Sequence, residues 1–465
     1  MPELLLELFS EEIPARMQAR GAEELSRVFA AAAAPVLEGA PRVFHGARRI
    51  GLVATLRAGV TTEGKEERGP RVGAPAAALE GFCRKHGVAR DALEPAAGFW
   101  VLRKPDETVT ARDLLARAMP GVVRGVGWPK SMRWDGSFTW VRPLRRVLCV
   151  LDGEVVPFGI EDPPGLVSGN ETEGHRIMSS GAFAVRSFAE YEAGLRERCV
   201  ILDAAERMRV IEEGLAALAG AKGLRVVPDR GLLEEVAGLV EWPVPLLGRI
   251  DDAFMDLPPE VMRTTMRVNQ RYFALSHEDG SAAPWFGVVA NIEATDGGAT
   301  LIAGNERVLR ARLSDARFFW DQDRKQKLED FLPKLDGVVF HAKLGTQGQR
   351  VIRVAWLARE VAPVVGANAN DAQRAARLAK ADLASGMVGE FPELQGVMGR
   401  YYAFHQGEDA RIAEAIGQQY RPLGPGDAVP SEPVAIALAL ADRLYTLISF
   451  FAVDERPTGS SDPFA

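Results

Sequence analysis

Two hydrophobic periods alternate along this chain, and the point where one gives way to the other divides it. Residues 3–9, Glu3-Leu4-Leu5-Leu6-Glu7-Leu8-Phe9, read as a strand. Pro14 opens a helical pattern that runs through Leu25, Val28, Phe29 and the alanines near 31. Arg48 to Leu56 reads as a second strand, so the chain opens with a β-α-β unit. Thr61 to Gly73, polar, charged and glycine-containing, reads as a loop or hinge. Helical patterns follow at 76–86 and 112–123, and strand-like segments at 100–104 and 138–157. Asp162-Pro163-Pro164-Gly165 is a strong breaker. A long amphipathic helical pattern covers 188–219, with strands near 226–228, 243–250 and 285–292. From about 331 the patterns turn long and alanine-rich, at 351–365, 372–388 and 434–451, which predicts an all-helical part.

The segment just before that change carries two faces. From Gly304 to Trp320, the residues Leu309, Leu313, Ala316 and Trp320 recur at helical spacing as one buried stripe. Arg307, Arg310, Ser314 and Arg317 form another face. Residues 301–327 hold seven Arg or Lys against four Asp or Glu, in a chain of net charge −7. A locally basic helix in an acidic protein points to a specific anionic partner, and the planar fork of arginine suits phosphate. A solvated helix with ion pairs such as Glu306 to Arg310 accounts for the same pattern.

Bulk properties narrow the classes. At 465 residues the chain holds roughly three or four domains, and 47% hydrophobic with 26% charged residues argues against long disorder. A pI near 5.6 argues against a broad, unspecific nucleic-acid binder, so any such contact is local and salt-sensitive. Cys83, Cys149 and Cys199 have no close spacing, which excludes a Cys-x-x-Cys zinc ribbon, argues against a disulfide framework and fits a reducing, cytoplasmic setting. The start lacks a basic leader and Glu7 interrupts its apolar run, so no signal peptide is expected. No stretch is expected to approach the ~20 apolar residues of a membrane span.

Several segments together resemble one family, the β subunit of the bacterial heterotetrameric glycyl-tRNA synthetase. They are Glu3 to Ala15, Trp128-Pro129-Lys130-Ser131-Met132-Arg133-Trp134, Gly174-His175-Arg176, Asn269-Gln270-Arg271-Tyr272-Phe273, Gly304 to Trp320, Gly389-Glu390-Phe391-Pro392-Glu393-Leu394-Gln395-Gly396, and Pro457 to Ala465. They occur in family order over the whole chain. The resemblance implies division of labour in an α2β2 assembly. The α subunit carries the class II core, with ATP and Mg, that activates glycine and charges the tRNA. The β subunit binds and orients tRNA(Gly) and binds the α subunit, with no complete catalytic site and no cofactor or metal of its own. Part of the N-terminal region is similar to tRNA-contacting modules of the phenylalanyl-tRNA synthetase β chain. Family members continue past the closing motif into an anticodon-binding domain, so this chain is expected to be an N-terminal portion lacking it.

The helical part from 331 resembles the HD family of metal-dependent phosphohydrolases, which implies a His, a His-Asp doublet and a distant Asp around a metal. The candidates are His341, Ala381-Asp382 and Asp442. Alanine cannot ligate a metal, so the set reads as degenerate, with Asp382 and Asp442 as ordinary polar or capping residues. The expected fold is thus α+β and multidomain: mixed α/β modules at 1–175, a second α/β region at 176–330 ending in the basic helix, an all-α HD-like domain at 331–455, and a linker at 456–465. Three functions compete: the synthetase subunit, an HD-type phosphohydrolase, and a pure scaffold for the α subunit.

No Gly-x-x-x-x-Gly-Lys-Ser/Thr cradle occurs, and Lys130-Ser131-Met132 lacks the rest of a class I signature. No catalytic residue is assigned. Candidates for contact with tRNA or the α subunit are Arg48, Arg49, His175, Arg176, Arg263, Arg267, Gln270, Arg271, Arg307, Arg310 and Arg317. Arg263, Arg267 and Arg271 line one face if a regular helix begins after Pro258-Pro259. Tyr272 and Phe273 either stack an unpaired base or enter the core. His175 is a binding-loop residue or a satisfied structural histidine.

Overall fold

The structure, a computed structural model, describes residues 1–62, 64, 66–104, 106–160, 165–424 and 426–455. The breaker at 162–164 and the linker with its closing motif at 456–465 lie outside the described residues. The chain forms two compact units. The first gathers residues 1–214, 229–245 and 289–295, and the second 215–228, 246–288 and 296–465. The stretch 1–175 therefore lies wholly in the first unit and 331–455 wholly in the second, while 176–330 is shared.

The first unit is organised by strand Glu3–Ser10, which sits inside a seven-stranded sheet. It runs antiparallel to Leu144–Leu151 on one side and to Arg49–Leu56 on the other, with Leu6 opposite Cys149 and Leu52. Its apolar residues on both sides of Glu7 follow from burial on both faces. Leu4, Leu6 and Leu8 enter a core with Leu25 and Phe29 of helix Ala15–Ala33 and Leu115 and Met119 of helix Ala111–Gly125. Leu5 enters a second core with Phe44, Leu148, Tyr191 and Leu195. Glu7 shares the face of Leu5, so its carboxylate is buried.

Besides the loop read over 61–73, which holds strand Glu66–Arg71, two sequence expectations change here. A further strand, Leu37–His45, precedes Arg49–Leu56, so the opening is β-α-β-β and the two strands read from sequence are antiparallel neighbours. That strand is at the end of the sheet, largely solvent-facing, and its register shifts between Glu38 and Arg42, which erases the period-two signal. The helix read over 188–219 is two, Phe188–Glu197 and Ala204–Gly220. Between them Cys199 takes φ 57, and the Arg207 guanidinium holds the connecting carbonyls of Ile201 and Leu202 at 2.7 and 2.8 Å. Trp128 packs edge-on against Trp140 and lies so close to Gly21 that a Cβ there meets its ring at 2.4 Å. Lys130 and Arg133 stay exposed.

The second unit joins a small antiparallel sheet, in the order Arg225–Val226, Phe273–Ser276, Ala282–Ala290 and Val244–Arg249, to the helices that follow. Helix Ala299–Asp323 contains the basic segment and buries Leu309, Leu313, Ala316 and Trp320 as predicted. That stripe shares one core with Val261, Met262 and Tyr272 before it and with Met387, Tyr402 and Leu438 after it. Trp320 stacks on Tyr402 at 5.8 Å. The expected helix over 372–388 is interrupted: Ala369–Leu378 ends, Ala381–Ala384 makes a 3₁₀ turn, and Gly386–Glu390 begins afresh. The break is held by Asp323, whose carboxylate accepts the amides of Gly386 and Met387 at 3.0 and 2.9 Å and the Tyr402 hydroxyl at 2.8 Å.

Against expectation, one helix does reach the length and apolar composition of a membrane span, Pro433–Ala452. It carries Asp442 and Arg443, and it buries Val434, Leu438 and Tyr445 in the core of the second unit.

Candidate nucleic-acid interface and the carboxylates of the helical region

The predicted basic face of helix Ala299–Asp323 is only partly open. Asp296 caps the helix by accepting the amides of Gly298 and Thr300 at 2.9 and 2.8 Å. Arg310 does not pair with Glu306. It forks onto Asp251 at 2.6 and 3.2 Å, while Glu306 accepts the amide of Arg249 at 2.7 Å. Arg317 pairs with Asp256 and reaches the carbonyl of Ala253 at 2.8 Å. Segment 251–256 thus neutralises two of the three arginines. Arg307 is exposed and has no ion pair among the described residues.

Arg263, Arg267 and Arg271 do not line one face. Helix Pro259–Thr264 passes into a π-helical turn over Thr265–Gln270, and Arg271 adopts a left-handed conformation with φ 58. The wider turn shifts the spacing, and the Arg271 guanidinium folds back onto the carbonyl of Val268. Arg263 and Arg267 stay at the surface, with Gln270 half-buried. Tyr272 and Phe273 enter the core; Tyr272 stacks on Phe286 at 4.6 Å and its hydroxyl donates to Asn305.

Arg48 and Arg49, read above as contact candidates, are buried and occupied. Arg48 donates to Glu241 at 3.0 Å and to the carbonyl of Gly174 at 2.6 Å. Arg49 donates to Glu7 at 2.9 Å, to Glu241 at 3.1 Å and to the carbonyl of Glu173 at 2.9 Å. Tyr191 adds its hydroxyl to Glu7 at 2.7 Å. Burial alone raises the Glu241 carboxyl, but Arg49 and Arg48 outweigh it and hold the group below its usual range. A partner's phosphate cannot reach these arginines through the side chains that cover them. His175 is also interior: its Nδ1 accepts the amides of Ile177 and Met178 at 3.2 and 3.1 Å, as a structural histidine does. Arg176 remains at the surface, paired with Glu11 and Glu12.

In the helical region the carboxylates are consumed internally. Asp382 is fully buried, and its Oδ2 accepts the amides of Gly396 and Gly399 at 2.6 and 2.9 Å, which caps helix Val397–His405. Asp442 accepts from Lys380 at 3.1 Å and from Arg350 at 2.8 Å. Burial raises its carboxyl, but Lys380 and Arg350 outweigh that and lower it. His341 lies elsewhere, against Phe450 and Glu455. Ala381 offers no ligand atom, and Asp442 already faces two cations. These positions do not fit a metal, and among the described residues no three His, Cys, Asp or Glu side chains converge as a ligand set. Sequence reasoning missed Lys380, Arg350, Asp323 and Glu241. For Lys380 a signal existed, a single cation within the mostly apolar stretch Leu378 to Ala384.

Burial pushes the Asp382 carboxyl up from 3.8 to about 6, against the pull of its two amides. The folded state therefore holds more protons than the unfolded state between those values, and stability falls as pH rises through that window, by about 3 kcal/mol in all. Asp382→Asn keeps an oxygen for the amides and removes the charge. Thermal unfolding from pH 4 to 7 is expected to show a flatter stability profile for this variant, with no loss at pH 7. An unchanged slope contradicts the assignment.

Comparison with known proteins places the chain among the aminoacyl-tRNA synthetases, ligases of protein biosynthesis. Residues 4–465 match the family model described as glycyl-tRNA synthetase beta subunit. The glycine–tRNA ligase beta subunit of Phenylobacterium zucineum is 55% identical, with all of this chain and 70% of that protein aligned. Those of Paracoccus denitrificans and Rhodospirillum centenum are 49% and 48% identical at the same coverage. The chain belongs to the glycyl-tRNA synthetase β-subunit family.

Proposed function

We propose that this chain binds and orients tRNA(Gly) in the cytoplasm for ATP-dependent glycylation at the active site of an α subunit, in an α2β2 assembly. The observation that carries this reading is the family match across residues 4–465. ATP and Mg belong to the α subunit. The chain's own contribution is positioning, which lowers the entropic cost of bringing the tRNA end to an adenylate on another chain. The helical region keeps an HD-type framework without hydrolase chemistry. The occupation of Asp382 by backbone amides and of Asp442 by Lys380 and Arg350 supports that, against the phosphohydrolase alternative. Arg176, Arg263, Arg267 and Arg307 lie at the surface and are the candidates for tRNA or the α subunit. The internal pairing of Arg310 and Arg317 favours, for that helix, the scaffold reading over direct phosphate contact.

Reconstitution with the α subunit tests this. Adding the chain is expected to change glycine-dependent pyrophosphate exchange by less than about twofold and to raise tRNA(Gly) charging by about tenfold or more. Charging that is equal with and without the chain overturns the proposal.

A further inference from the structure

A second basic surface lies in the first unit, outside every segment that the family resemblance singled out. Strands Glu66–Arg71, Phe99–Arg103 and Leu93–Ala96 form a three-stranded antiparallel sheet. On the middle strand, Trp100 and Leu102 pack with Leu79 and Phe82 of helix Ala76–His86. By alternation Phe99 belongs to the opposite face. There the guanidinium of Arg68 lies over its ring at 3.4 Å, and that of Arg71 at 5.6 Å. The hairpin turn Ala97-Gly98, with φ 51 and 81, sets Phe99 opposite Arg71 at the sheet's end.

Charge distinguishes this end of the sheet. Arg103 pairs with Glu66 and Glu94, and Lys104 and His86 pair with Glu67. The sheet's carboxylates are thereby spent at its other end. Arg68 and Arg71 are exposed, and their guanidinium groups have no carboxylate or hydrogen-bond partner among the described residues. Two like charges beside one aromatic ring, without a carboxylate partner, make a local positive patch in a protein of net charge −7 that an anionic ligand can meet. A guanidinium stacked on a ring keeps its N–H edges free for phosphate, and its outer plane free for a base.

We propose that Arg68 and Arg71, ordered on Phe99, form a contact for an unpaired segment of RNA, with phosphodiesters on the guanidinium edges and a base on the outer plane of Arg68. This rests on the reading of the chain as a tRNA binder and adds the surface that does it. An acidic protein surface is the competing occupant. It offers carboxylates for the two forks but no flat base for the stack, so RNA is the better fit.

The test is binding of labelled tRNA(Gly) transcript to the 465-residue chain between 50 and 200 mM KCl. Arg68→Ala/Arg71→Ala is expected to weaken binding by about tenfold or more and to make the log–log salt slope shallower by about 1.4, the value for two lost contacts to a single strand. Arg68→Lys/Arg71→Lys keeps the charge and is expected to keep the slope while losing part of the affinity. A short single-stranded RNA should compete better than a duplex of equal length. If the double alanine variant shifts the thermal midpoint, Arg71→Gln alone, at the exposed strand end, carries the same comparison. Wild-type binding with an unchanged variant overturns the surface and leaves the proposed function standing. Absence of wild-type tRNA binding overturns both. Loss of α-subunit association with tRNA affinity intact assigns the surface to protein docking and overturns the proposal.

Discussion

Arg49→Ala is expected to destabilise the first unit by about 3–5 kcal/mol, the range for removing one member of a buried ion-pair network. Arg49 is the link between Glu7 on the central strand and Glu241 more than 190 residues away, and it also holds the carbonyl of Glu173. Without it Glu241 retains Arg48, but Glu7 is left with the Tyr191 hydroxyl alone. An uncompensated carboxylate on a strand buried on both faces must either recruit water or take up a proton. Arg49→Lys keeps the charge but loses the fork and should fall between the two. Hydrogen exchange resolved by segment is the suitable readout: protection over 3–10 and 144–151 should drop in Arg49→Ala while that of the helical region stays. A loss below about 1 kcal/mol contradicts the role given to this network.

Asp442→Ala is the corresponding change in the second unit, with an expected cost of about 3–5 kcal/mol near neutral pH. It strips Lys380 and Arg350 of their shared counter-ion. Burial already lowers Lys380 from 10.5 to about 8, with Asp442 opposing the fall. In the wild type the unfolded state binds more protons between those values, so stability rises with pH from about 8 towards 10.5. Loss of Asp442 lowers the folded value further and extends that rise to lower pH. The destabilisation should therefore be largest at neutral pH and shrink in alkaline buffer. Lys380→Met combined with Asp442→Ala should recover part of the loss, because it removes the stranded ammonium while Arg350 is left with the Thr446 hydroxyl. Chemical denaturation at pH 7 and 9 checks both statements, and a penalty that ignores pH refutes the account.

How much was legible in the sequence depends on the distance over which each residue finds its partners. The Leu309–Leu313–Ala316–Trp320 stripe is set by helical period alone, and it is buried as read. The strand Glu3–Ser10 is equally plain, since five buried apolar side chains leave little choice of environment. Arg48 and Arg49 are the opposite case. Two adjacent arginines at a strand start look like surface charge, and nothing local announces that Glu241 meets them. Arg263, Arg267 and Arg271 fail for a subtler reason: their spacing presumes a regular helix, and a single wide turn between them removes the shared face. The absence of a metal-ligand doublet at Ala381 was visible directly, whereas its structural consequence was not. Lys380, one position away, supplies the cation that Asp442 faces. The Arg68–Phe99 stack escaped notice because segment 61–73 carries no apolar period and reads as a loop, although Glu66–Arg71 is a strand.

The placement of strand Glu3–Ser10 also bears on how the protein is made. It leaves the ribosome ahead of its partners: one of its flanking strands ends at Leu151, and the hydroxyl that serves Glu7 belongs to Tyr191. At ordinary rates of synthesis, those partners emerge roughly 10–40 s later. During that interval the edge of this leucine-rich strand that pairs with Leu144–Leu151 is open. The nascent chain, more than the finished one, is the species exposed to self-association.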